Sequence, residues 1–538
     1  MLSNINIVRR VNRNAITITQ HSTLPQRAIV FLLKFKGNSK VQLVSFKMLC
    51  RGIFLFYLIT ETIASCAPPQ SYKRIVIVGS GASGIAAATK LMLNGFHNVQ
   101  ILEAENRIGG RVNTVKFDDY LVDLGAQWIH GEKGNVVYEI VANMNLTDHS
   151  DPYKEEVFTS SGELIDSTMM KNLTDIYIEL IDDIINVTVA CQRSVGECFE
   201  AKLKEHFAVF PELNETMQEQ LLWNFNMMQT SLDPADSWYD IAAQEYGEYQ
   251  TCDGDQTVNW KERGYSTILD ILMQKIPDPV NELPVMNKTV LNAEVTKIDY
   301  SGEDGKAKIT THDGREFIAD HVIVTVSLGV LKEQHETLFN PPLPEYKVNS
   351  IKGLGYGYAC KIFLAFNDTW FNPENMKNGG YRILWSKEER EELDRDPKRR
   401  WMAYALGFWV VEHKPRLLYV WVSGKGGRLM DKVTDDEVYD QCVELLNKFL
   451  SKHFNVSKPI GMIRSKWYQK HFRGTYSYRS LETVRTNSSA KQLSEPILKM
   501  EKTVDFIRWG SYQQSSIFHG AWCSCYRVER SRKTDRFL

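Results

Sequence analysis

The chain has 538 residues, enough for a large core and two interleaved domains. Hydrophobic residues make up 43% and charged residues 24%, the profile of an ordinary globular protein. A formal net charge of −2 argues against general nucleic-acid binding, which needs a basic face, and the nine cysteines lack the CxxC or Cys/His spacing of a zinc site.

Residues 1–71 read as a leader. No Asp or Glu precedes Glu61, and Met48 opens MLCRGIFLFYLITETIASCAPP, with one Arg, an apolar run, then Ala64, Ser65 and Ala67. That order predicts a secretory signal peptide over 48–67 and a secreted, extracellular glycoprotein. A mitochondrial transit peptide is the rival reading, since the segment bears Arg and no acid, and a cytoplasmic location is the third. The apolar run is shorter than the ~20 residues of a membrane span, so no stable span is expected. N-x-S/T sequons at Asn145, Asn172, Asn186, Asn214, Asn287, Asn367, Asn455 and Asn487 agree with the secretory reading.

KRIVIV at 73–78 is a short run of branched apolar residues and predicts a buried strand. GSGASG at 79–84 follows, then a small-residue helix over 85–93 and a second strand, VQILE, at 99–103. This βαβ unit places Gly79, Gly81 and Gly84 in a tight turn where backbone amides and a helix N-terminus meet a pyrophosphate. Glu103 ends the second strand, where its carboxylate can accept from a ribose diol. Residues 131–257 read as largely helical, with runs at 169–188 and 199–230. Within them Cys191 and Cys198 form either a disulfide or two buried free thiols. Strands return at 285–311 and 316–326, a Pro-rich break falls at 340–344, strands recur at 360–366 and 417–422, and 435–454 is an amphipathic helix. No repeat or low-complexity linker separates these elements, so the domains exchange segments.

Two further motifs carry chemistry. RIGGR at 107–111 offers Gly109 and Gly110 for close backbone approach and Arg111 for phosphate. DLGAQWIHG follows at 123–131. With the glycine turn, they resemble the flavin monoamine oxidase superfamily, in its animal polyamine (spermine) oxidase branch, over roughly 72–498. The resemblance implies FAD. It sets Gly79, Gly81, Gly84, Glu103, Gly110 and Arg111 around the dinucleotide, and Val295 in LNAEVTKIDY beside the adenine. Gly125, Ala126, Gln127 and Trp128 fall around the flavin ring, and Trp467, with the segment 474–478, matches the part of the family that places an aromatic beside it. Lys361, in GYACKIFLAF, falls where the family keeps a lysine that holds a water near flavin N5. Its apolar neighbours make it a buried lysine, costly unless paired or functional. His130 is expected to hold a substrate amine or relay a proton, and Tyr476 to form an aromatic wall.

The resemblance therefore implies an FAD-dependent amine oxidase. Its reactants would be a polyamine and molecular oxygen, and its products an aminoaldehyde, a shorter amine and hydrogen peroxide. Glu132, Asp233, Asp236 and Asp240 are candidate carboxylates for an extended cation, with solvated surface acids as the ordinary reading. The expected fold class is α/β, a Rossmann-like FAD-binding domain (72–130, 258–345, 464–500) interleaved with an α+β substrate-binding domain (131–257, 346–463). Residues 501–538 are an aberrant tail. The family ends in an FAGE-like strand, an HGA helix start and SGxREA, whereas this chain ends EKTVDFIRWGSYQQSSIFHGAWCSCYRVERSRKTDRFL. Shifting the codons by one nucleotide from about Lys502 permits PLILFAGEATSS, YSTVHGA, TG and REAERLI. The expectation is a frame-shifted ending that has lost amides beside the flavin and binds FAD poorly.

Overall fold

Ile75–Val78 is buried along its whole length, as a branched aliphatic run must be when both faces of its sheet are covered. It pairs parallel with Val99–Leu102 on one side and His321–Val324 on the other. Thr289–Val290 and Ile507–Trp509 complete a five-stranded parallel sheet. The crossover helix Ala82–Leu93 lays Ile85, Ala88, Leu91 and Met92 against this core. The computed structural model describes residues 10–11, 14–15, 72–191, 193–244, 246, 251–497 and 507–509.

Met1–Pro69 is a separate unit, in which Arg10–Val11 and Asn14–Ala15 pair antiparallel. The leader signal at 48–67 lies outside the described residues, as does the tail apart from Ile507–Trp509. Those three residues lie parallel to Val322–Val324, so the tail contributes an edge strand to the parallel sheet.

A second layer is a six-stranded sheet in the order Gly461–Arg464, Ala359–Ala365, Lys414–Ser423, Ala405–Val411, Gly379–Leu384, Lys154–Thr159. All seven residues of Ala359–Ala365 are buried. Helix Asp435–Leu450 packs Val438, Cys442, Leu445, Leu446 and Phe449 into the same core. Helices Ser167–Asp182, Val195–Phe207 and Glu215–Leu232 build an adjoining core with Val157 and Leu384 of the sheet. Cys191 and Cys198 are joined as a disulfide with their Cα atoms 5.7 Å apart.

Two elements differ from the sequence reading. Lys154–Thr159 is a strand inside the stretch read as helical; it pairs parallel with Gly379–Leu384 at the sheet edge. Its burial does not alternate cleanly, which hides the strand period. Leu328–Leu338 is a helix, started by the Ser327 side chain accepting from Val330 N, in a stretch to which the sequence reading assigned no element. Among the described residues no helix is long and apolar enough to cross a membrane.

Candidate active site

The glycine turn builds one wall of a cleft. Gly79 has φ +101°, a conformation that side chains rarely adopt. A Cβ on Gly84 would fall 2.0 Å from the Gly79 carbonyl oxygen, so only glycine lets the helix start this close to the strand. Gly81 is the N-cap of Ala82–Leu93 with no side-chain cap, and no acid stands in the first turn. Its first N–H groups are therefore left for an anion. Glu103 is buried; its Oε2 accepts from Ser80 N (2.7 Å) and Ser80 Oγ (2.8 Å), and its Oε1 from Glu105 N (2.8 Å). These bonds fix its orientation, and both Glu103 and Val295 line the cleft. Gly110 and Arg111 line it too, as do Lys470, His471 and Phe472. An uncapped helix start, a glycine cradle and an oriented carboxylate fit a dinucleotide.

Arg111 also lines a second cavity, with Gly125, Ala126, Lys361, Trp421, Trp467 and Tyr476. Lys361 sits in the middle strand Ala359–Ala365 and is 2% exposed. Its Nζ donates to Gly125 O at 2.8 Å and to Gln127 Oε1 at 2.7 Å, and lies 5.5 Å from the Trp128 ring centroid. Burial lowers its pKa; nearby Asp123 opposes this and Lys414 adds to it. Asp123 is itself pushed up by burial, against a hydrogen bond from Thr114 and the charges of Lys361 and Lys414. A Cβ on Gly125 would meet Arg111 O at 1.8 Å, so glycine is required for the turn to pass here. Trp467 is buried with Nε1 donating to Leu124 O at 3.2 Å. Tyr476 donates from its hydroxyl to Ser231 O at 2.9 Å, and burial raises its pKa far enough to keep the phenol neutral.

The structure thus brings Lys361, Gly125, Ala126, Trp467 and Tyr476 to one cavity, with Gln127 and Trp128 touching Lys361. His130 is placed differently. It is buried, lines neither cavity, and its Nδ1 donates to Gln256 O. Burial lowers its pKa to about 4, so the ring is neutral at physiological pH. Of the four candidate acids, Glu132 accepts from Asp255 N at 3.0 Å, Asp236 pairs with Arg428, and Asp240 caps the turn begun by Ser237. Those three have local structural work. Asp233 is buried, accepts from Gln229 Nε2 and Tyr246 hydroxyl (both 2.8 Å), and is near enough to influence Tyr476.

Sequence reasoning passed over Asp123, although it stands in the quoted motif. Thr114 Oγ1 donates to it, and so does Tyr265 N, at 3.0 and 3.2 Å to its two oxygens. A charged residue ending a strand, with one residue between it and GAQW, was the available signal.

A family model described as "Flavin containing amine oxidoreductase" matches residues 82–524. The chain is 27% identical over 456 residues to the peroxisomal N(1)-acetyl-spermine/spermidine oxidase of Bos taurus, covering 80% of this chain and 87% of the relative. It is 27% identical over 500 residues to probable polyamine oxidase 5 of Arabidopsis thaliana, covering 80% and 89%. Lysine-specific histone demethylase 2 of Homo sapiens is 24% identical over 478 residues, 84% of this chain but 53% of that protein.

Proposed function

Starting from a chain that belongs to the flavin containing amine oxidoreductases, and so is an FAD-dependent amine oxidase, we propose that its substrate is a polyamine of the spermine type. When bound, FAD would supply the two-electron acceptor for amine oxidation, with oxygen as the final oxidant and hydrogen peroxide, an aminoaldehyde and a shorter amine as products. The chain's residues divide the remaining work. The turn at 79–84, the Ala82–Leu93 helix start and Glu103 hold the dinucleotide, Val295 flanks its adenine end, and Gly110 and Arg111 flank the run towards the second cavity.

The observation that carries the reading is Lys361, buried in the wall of that second cavity with its ammonium fixed by Gly125 O and Gln127 Oε1. A lysine nitrogen has three donors or, when neutral, a lone pair. Two bonds to the protein leave one position for a water at the reacting centre. Burial favours its neutral form, so it can take and return a proton near neutral pH. Tyr476 and Trp467 exclude bulk water on the same side. His130 is neutral and donates from Nδ1 to Gln256 O; in this reading it supports the turn at 123–131 and does not touch the substrate.

The polyamine assignment is supported by the names of the relatives. Peroxide release should be measured with spermine, spermidine, their N1-acetyl forms, a simple monoamine and an amino acid. Turnover of at least one polyamine well above the monoamine is expected. Turnover of the monoamine or the amino acid with none of any polyamine would replace the proposal with another amine as substrate.

A further inference from the structure

The asparagine of each of the eight sequons is exposed. Asparagines outside sequons are mixed: Asn94, Asn143 and Asn447 are exposed as well. Asn135, Asn224, Asn226 and Asn259 are buried and used in packing: Asn135 caps Val136–Val141, and Asn226 Oδ1 accepts from Trp238 N at 2.8 Å. Exposure is therefore not general among the asparagines, and all eight sequon residues have it.

The local hydrogen bonds also leave the right atom available. A sugar attaches to Nδ2 and leaves the carbonyl oxygen as an acceptor. Asn214 caps helix Glu215–Leu232 through its carbonyl oxygen, which accepts from Met217 N at 2.9 Å. Asn145 Oδ1 accepts from Lys261 Nζ at 3.0 Å. Both bonds survive substitution on nitrogen. Asn186 Nδ2 donates to Asp183 Oδ1 at 2.6 Å, which uses one N–H and leaves the other replaceable. None of the eight lines the dinucleotide cleft or the Lys361 cavity, so a glycan on any of them does not enter the reaction path. The Cys191–Cys198 disulfide is an independent sign of an oxidising compartment.

We propose that this chain is N-glycosylated at its exposed sequon asparagines, and so matures in the secretory pathway. The donor class is a lipid-linked oligosaccharyl diphosphate. The amide nitrogen attacks the anomeric carbon, the bond from that carbon to the diphosphate oxygen breaks, and the diphosphate leaves with the electron pair. The amide gives up one proton as the carbon–nitrogen bond forms. No oxidant or reductant is consumed.

The test is site mapping on the full chain, expressed with its own N-terminus in insect cells. Peptides are sequenced by mass spectrometry before and after an amidase that removes the glycan and turns its asparagine into aspartate. Expected are glycopeptides at the sequons, aspartate in their place after digestion, and Cys191 and Cys198 recovered as one disulfide-linked peptide. Asn367→Gln and, separately, Thr369→Ala should each remove the glycan from that peptide and leave the other sites occupied. Unmodified asparagine at all eight positions would overturn the proposal, whichever compartment holds the protein. So would a glycan at 367 that persists in Thr369→Ala. Neither outcome depends on amine turnover, so the assignment of the substrate stands or falls separately.

Discussion

Replacing Asp233 with Asn should make the protein less sensitive to pH. The Asp233 carboxyl follows helix Glu215–Leu232, is 2% exposed, and accepts from Gln229 and Tyr246. Burial outweighs those two bonds and raises its pKa from 3.8 to about 7. The sign follows from proton binding. The folded state holds this proton more tightly than the unfolded chain, so stability is greatest below the unfolded value and falls as pH rises through the folded one. At 1.36 kcal/mol per unit the full cost at alkaline pH is about 4 kcal/mol, of which about 2–3 kcal/mol falls between pH 5 and pH 8. Asn keeps an acceptor oxygen for the same donors and cannot ionise. Urea unfolding at pH 5 and pH 8 supplies the comparison, with m-values checked for equality. The wild-type chain should lose about 2–3 kcal/mol more over this interval than Asp233→Asn. Identical pH dependence in the two proteins would refute the reasoning.

Three further outcomes are expected. Lys361→Met should slow amine oxidation about 10²-fold or more in stopped-flow flavin absorbance, and should lower stability by about 1–3 kcal/mol because Gly125 O loses its donor; unchanged rates would remove Lys361 from the chemistry. Asp123→Ala leaves Tyr265 N and Thr114 Oγ1 without their acceptor and takes the nearest negative charge from Lys361 and Lys414, a cost of about 3–5 kcal/mol in denaturant unfolding. Asp123→Asn keeps an acceptor, so it should lose less stability but shift the Lys361 limb of the pH–rate profile to lower pH, since Asp123 raises the pKa of that lysine; equal stability losses in the two variants would contradict this. Gly84→Ala puts a Cβ 2.0 Å from Gly79 O and should destabilise the cofactor-free protein, whereas Gly81→Ala, whose Cβ meets nothing closer than 3.9 Å, should keep its stability and weaken FAD binding in a fluorescence titration.

The cofactor turn was legible because its parts are neighbours in sequence. A buried strand, three glycines, a helix and an acid all fall between 73 and 103, and each signal is local. The Lys361 arrangement is different in kind. Its bonds to Gly125 and Gln127 span 236 and 234 residues, and no periodicity in GYACKIFLAF names those partners. Apolar neighbours predicted only that the lysine is buried; the family resemblance supplied the site. Asp123 was missed for the same reason, since its importance comes from lysines on two distant strands. Asp236 was offered as a substrate acid because Arg428, its partner 192 residues away, cannot be seen from the local sequence. Asp240 could have been read correctly, because Ser237 and Asp240 have the spacing of a capping box.

The turn at 124–127 explains why the walls of the two cavities depend on each other. A buried backbone carbonyl must find a donor. Here the Leu124 carbonyl takes Trp467 Nε1, the Gly125 carbonyl takes Lys361 Nζ, and Ala126 N donates to Arg111 O. The first two donors belong to segments that line the Lys361 cavity, and Arg111 lines both cavities. The turn therefore cannot reach this shape without the residues assigned to the reaction, and they cannot hold their positions without the turn. Gly125 allows that closeness, since any side chain would strike Arg111 O. A lysine held only by carboxylates would stay charged and strongly hydrated. One held by a carbonyl and an amide oxygen in a dry wall is fixed in space but kept near its titration point, which is the condition a proton-handling group needs.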